Sequence, residues 1–227
     1  MYRKLDFNKV NKSIDNLYLR IEERFPNSGL SKVCMELKTI NKECDKAIRF
    51  ITKPIYWLRI GFGIFILIGL GTLFYSISLI NISIENIIVT DFVQAAEASI
   101  NDVIFIIAAI YFLFKAESKI KLNIALKNIQ QLRIIAHVID MHQLTKVPKS
   151  IISNATAHSP QRNLNNFELC RYLDYCSEML SLTSKISAMF TNDYNDEVVL
   201  NSVKEIEALT TSLTVKVWQK IILINEG

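Results

Sequence analysis

Apolar residues recur at helical spacing in the charged parts of the chain and run almost unbroken in two further stretches. Val10, Ile14, Leu17, Ile21 and Phe25 are separated by three or four positions, which predicts one apolar stripe on a helix that Pro26-Asn27-Ser28-Gly29 ends. Val33, Leu37, Ile40, Cys44, Ile48 and Ile51 repeat the pattern, and this second helix is expected to run on with a kink at Pro54. From Ile60 to Ile84 no residue is charged, and about 20 apolar residues suffice to cross a hydrocarbon core. The next apolar run, Val103 to Phe114, is short by that measure. Extended to about Ala96 and Lys115 it reaches across, drawing Asp102 into the membrane and leaving Glu97 near its outer end. Leu122, Leu126, Ile129, Leu132, Ile135 and Ile139 carry the same helix onward until Thr145-Lys146-Val147-Pro148. After a Ser- and Asn-rich loop, Leu169, Leu173, Cys176, Leu180 and Thr183 mark another helix. Val199, Val203, Ile206, Leu209, Leu213, Val217, Ile221 and Ile224 mark a long last one, with Asn195, Asp196 and Glu197 suited to start it.

The expected fold is all-α: a two-helix transmembrane hairpin over 55–115 with a short outer loop, and a cytoplasmic helical bundle formed by the flanks 1–54 and 116–227. Charge sharpens this picture. The net charge of +4 hides a central gap, because no Lys or Arg occurs between Arg59 and Lys115. Lys42, Lys46, Arg49, Lys53 and Arg59 precede the gap, and Lys115, Lys119, Lys121, Lys127 and Arg133 follow it. The stretch between holds only Glu85, Asp91, Glu97 and Asp102, so the positive-inside rule places both termini in the cytoplasm and the loop outside. Met1 to Lys53 has no continuous apolar core, so targeting is expected from the internal segment. Half of the residues are hydrophobic and mean hydropathy is +0.23, which excludes a disordered or low-complexity chain.

Candidate chemistry is sparse. There is no P-loop, dinucleotide fingerprint, HExxH or GxSxG, so neither an enzyme nor a cofactor is expected. His137, Asp140 and His142 are the nearest approach to a metal or acid–base cluster, but His142 is five positions from His137 and leaves its helix face. Cys34, Cys44, Cys170 and Cys176 match no zinc spacing and read as free thiols. Gly61 and Gly69, with the small pair Thr72 and Ser76, suit close helix packing in a membrane. Gln94, Glu97 and Asn101 share one face of the second span with Asp102 beside it. Either they form a stripe facing water or another subunit, or the helix begins at the interface near Asp102. Lys146, Lys149 and Arg162 lie in a stretch without acids, which suits either a phosphate backbone or an ordinary solvated loop.

Two transmembrane helices, a short outer loop and helical flanks without catalytic motifs resemble the two-transmembrane effectors of bacterial antiphage systems. The layout is most like the effector encoded beside a retron reverse transcriptase, with AHVIDMHQLTK as the one local stretch of family character; effectors of nucleotide-signalling defence systems share the layout. The resemblance implies an oligomeric toxin of the lipid bilayer, held silent by a reverse transcriptase and its RNA-linked single-stranded DNA. A non-conducting membrane anchor that docks a cytoplasmic partner is the alternative.

Overall fold

The computed structural model describes residues 4–79, 89–146, 164–192 and 194–226. Among them every regular element is helical: α1 (Phe7–Arg24), α2 (Gly29–Ile51), α3 (Tyr56–Leu79), α4 (Val89–Leu144), α5 (Asn166–Ala188) and α6 (Glu197–Glu226), with a 3₁₀ turn over Met189–Thr191. Two compact units result, one formed by 1–52 with 122–227 and the other by 53–121.

The larger unit is a helical bundle built on the apolar stripes. Ile14, Leu17 and Ile21 of α1, Leu30 and Leu37 of α2, Leu132 and Ile139 of α4, Leu173 and Met179 of α5 and Ile206 and Val217 of α6 are buried in one continuous core. Burial of such a side chain stabilises by roughly 1.5–3 kcal/mol, and the stripes let each helix contribute several. Local signals set the helix starts. Asp6 accepts from the Asn8 amide and Ser28 from the Ser31 amide, while Asn165 and Glu168 form a reciprocal capping box on α5. Asp196 accepts from the Val198 and Val199 amides, so it caps α6. Between α1 and α2, Asn27 takes the left-handed conformation (φ 53°) that Asn tolerates better than most residues.

Helices α1 and α2 pair antiparallel through more than apolar contacts. Lys38 places its ammonium 2.7 Å from Asp15 Oδ1, Asn11 donates to Asp15 Oδ2, and the fully buried Asn41 donates to Asn11 Oδ1. Asn41 Oδ1 itself receives no donor from the protein, which costs about 1–3 kcal/mol. A polar seam of this kind fixes register, because sliding one helix would separate every pair in it.

The smaller unit has the opposite character. Ile60, Phe65, Leu67, Ile68 and Phe74 of α3, and Ile104, Phe105, Ile107, Phe112 and Phe114 of α4, are all more than half exposed. One apolar stretch within Gly29–Thr72 is long and apolar enough to cross a membrane, and only 6% of it is buried. The expected kink at Pro54 is instead a break. α2 ends at Ile51, where the Thr52 hydroxyl donates to the Ile48 and Arg49 carbonyls, and α3 starts afresh at Tyr56. Proline has no N–H to continue the ladder, and it disfavours helical geometry in Lys53 before it.

Candidate membrane interface and polar sites

The smaller unit is organised by Glu117, a carboxylate that is 6% exposed. It accepts from the Ile55 amide (3.3 Å), from Arg59 Nε (3.0 Å) and Nη2 (3.4 Å), and from Lys121 Nζ (2.9 Å). Ile55 supplies the carbonyl that starts α3, yet its side chain carries no oxygen for capping, so an acid from α4 satisfies its amide. The Lys121 ammonium, then Arg59 and the Ile55 amide, hold the Glu117 carboxyl well below the usual carboxylate range against the opposing effect of burial. Beside this node Tyr56 and Trp57 are 67% and 70% exposed, and Phe62 meets Phe112 with ring centroids 6.5 Å apart. Ile55 with Glu117 and Phe62 with Phe112 define an antiparallel pairing of α3 with the first part of α4.

The sequence-derived membrane residues fall on these two helices. A Cβ added at Gly61, Gly63, Gly69 or Gly71 would meet nothing within 4 Å, so the glycine positions face open space within one chain. Thr72 donates to the Gly69 carbonyl at 2.8 Å, which quiets its hydroxyl within its own helix. Ser76 and Gln94 lie on α3 and α4, and their side chains are outside the described set. Glu97 and Asn101 are exposed and Asp102 is partly buried. A helix rise of 1.5 Å per residue puts Asp102 about 22 Å and Glu97 about 30 Å from the level of Glu117. The same rise puts Leu79 about 30 Å beyond Arg59.

In the bundle, Lys146 lies over the Tyr172 ring, 4.9 Å from its centroid, so its charge is turned onto α5. Lys149 and Arg162 lie outside the described residues. His137 is exposed and Asp140 accepts from Gln143, whereas the His142 ring packs on Gly29. Among the described residues no three His, Cys, Asp or Glu side chains gather as a metal site. Cys34, Cys44 and Cys176 are buried free thiols, and burial pushes each up to about 12. Lys220 donates to both the backbone carbonyl and the side chain of Gln143 at 2.8 Å, placing a cation at the carbonyl-rich end of α4.

Sequence reasoning missed Glu117 and Lys220. For Glu117 a partial signal existed, since it is the single acid among Lys115, Lys119 and Lys121 and precedes Lys121 by one helical turn. Lys220 gave none, because its partner is a carbonyl on another helix. Comparison with known protein families, characterised proteins and solved structures returns no match.

Proposed function

We propose that this chain is a membrane-permeabilising effector of a bacterial antiphage defence system, acting as a homo-oligomer in the inner membrane with both termini cytoplasmic. In this reading α3 and the first part of α4 are the two spans, and the Glu117 node marks the cytoplasmic face. The observation that carries it is Asp102, only partly buried and about 22 Å along the helix from that node, so a ~30 Å hydrocarbon core starting at the node would enclose it in its outer half. An ionisable group costs about 2.5–3.5 kcal/mol at the bilayer centre on insertion scales and less towards the interface, and no Lys or Arg lies between Arg59 and Lys115 to neutralise it. Water offsets that cost, and two helices cannot enclose water alone. Several copies can, with Gln94, Glu97, Asn101 and Asp102 lining the lumen and the small positions Gly69, Thr72 and Ser76 packing between chains. The silencing partner implied by the resemblance is a reverse transcriptase carrying RNA-linked single-stranded DNA, with Lys146, Lys149 and Arg162 as its contacts.

A second reading, a non-conducting anchor whose bundle docks a partner, is favoured by the exposed apolar residues Val215, Trp218 and Ile222 on α6. Bilayer recordings separate the two. The purified chain in planar bilayers should pass current with cation preference, and Asp102→Asn should lower that preference without changing insertion. An inserted protein that passes no current would establish the anchor.

A further inference from the structure

At the start of α3 a cavity of about 440 Å³ is lined by Trp57, Leu58, Gly61, Phe62 and Phe65, all apolar. Its floor is Gly61. Its two ends, one helical turn to either side on the same stripe, are Trp57 and Phe65. This geometry differs from the small face farther along, where Gly69, Thr72 and Ser76 follow one another at spacings of three and four. A second helix can lie flat on those small residues, but two large aromatic rings hold any helix backbone away from Gly61. A slender, flexible hydrocarbon chain fits between them.

Along the chain, strongly basic segments lie next to the notch. Lys53, Arg59, Lys115, Lys119 and Lys121 flank the apolar parts of the unit, with Glu117 as the single acid among them. Glu117 is already engaged by Lys121 and by only part of the Arg59 guanidinium, whose side chain remains 49% exposed. A guanidinium carries five N–H donors, so Arg59 keeps some for an oxyanion outside the protein. Lys53 and Lys119 are exposed as well. Apolar groove and unspent cations together describe one kind of molecule.

We propose that the notch around Gly61 binds an anionic phospholipid, one acyl chain lying between Trp57 and Phe65 and the headgroup phosphate meeting Arg59 and Lys53. This rests on the membrane reading above, and it reassigns Gly61 from a helix contact to a lipid contact.

The chain contains two tryptophans, Trp57 and Trp218, so a Trp218→Phe variant reports on the notch alone. The full-length variant is reconstituted into phosphatidylcholine vesicles in which either phosphatidylglycerol or phosphatidylcholine carries brominated acyl chains, and quenching of Trp57 is followed. Brominated phosphatidylglycerol should reach half-quenching at a mole fraction at least about fivefold lower than brominated phosphatidylcholine, since each engaged cation near a charged lipid surface contributes about that factor. Gly61→Leu, which fills the notch, and Lys53→Gln with Lys119→Gln, which removes charge without touching the partners of Glu117, should each bring the ratio towards one. Equal quenching by both lipids in the starting protein overturns the site and leaves the membrane reading standing. Absent quenching together with disulfide cross-linking of Gly61→Cys overturns it in favour of a second copy of the chain. Absent quenching together with release of the protein by alkaline carbonate overturns both readings.

Discussion

Glu117 brings three separate demands to one carboxylate: an uncapped amide at the start of α3 and the charges of Arg59 and Lys121. Replacing it by Ala leaves the buried Ile55 amide without an acceptor, a loss of about 1–3 kcal/mol. Hydrogen exchange at the Ile55 amide should therefore accelerate about tenfold to hundredfold in Glu117→Ala. The pH dependence has a definite sign. The folded-state carboxyl is lowered from 4.5 to about 2, so its stabilisation is complete above the ordinary value and is lost as pH falls through that window. Wild-type exchange at Ile55, corrected for its intrinsic rate, should approach that of Glu117→Ala only there. Half of this node was legible beforehand, since the Glu117–Lys121 pair is one helical turn long. The other half was not, because Arg59 and Ile55 lie far away in sequence and nothing in periodicity reports which helices pair.

At the scale of elements, the stripes on α1, α2, α5 and α6 were readable because each buries one face, and a face repeats with the helical period. The end of α2 was not. Proline permits either a bend or a stop, and the choice fell to the Thr52 hydroxyl, which closes the last turn, and to Ile55, whose amide had an acceptor waiting on α4. The packing of α2 on α4 was also hidden, although Gly29 lies where the His142 ring meets α2. A Cβ at Gly29 would lie 2.6 Å from His142 Cε1, so Gly29→Ala must push the imidazole away. That should cost about 1 kcal/mol in denaturation of the detergent-solubilised chain. In a His142→Ala background the same substitution should cost nothing, or stabilise by up to about 1 kcal/mol through helix propensity. Equal costs in the two backgrounds would show that the ring does not press on α2.

Across the whole molecule, charge and exposure divide the chain in the same place. The interval without Lys or Arg, from Arg59 to Lys115, falls inside the unit formed by 53–121, and most of the described large apolar side chains of that unit are exposed. Exposed apolar surface of that extent favours association in water, and this supports the proposal that the unit sits in a bilayer. Topology can be tested directly. In a background without native cysteines, Asn81→Cys should react with an impermeant thiol reagent in intact cells and Asn192→Cys should not. Labelling of both, or of neither, would remove the hairpin. What composition could not reveal is which cations are already paired, because Lys and Arg cluster on both sides of Glu117.

The bond from Ile55 to Glu117 also has a consequence in time. Its two ends are 62 residues apart, so a ribosome adding about 5–20 residues per second delivers the acceptor about 3–12 s after the donor. During that interval α3 has an unsatisfied amide at its start and an Arg59 without its counterion. On the proposed membrane reading, the nascent α3 is therefore incomplete as a lone insert until α4 arrives, and biogenesis should favour release of the two helices into lipid as a pair.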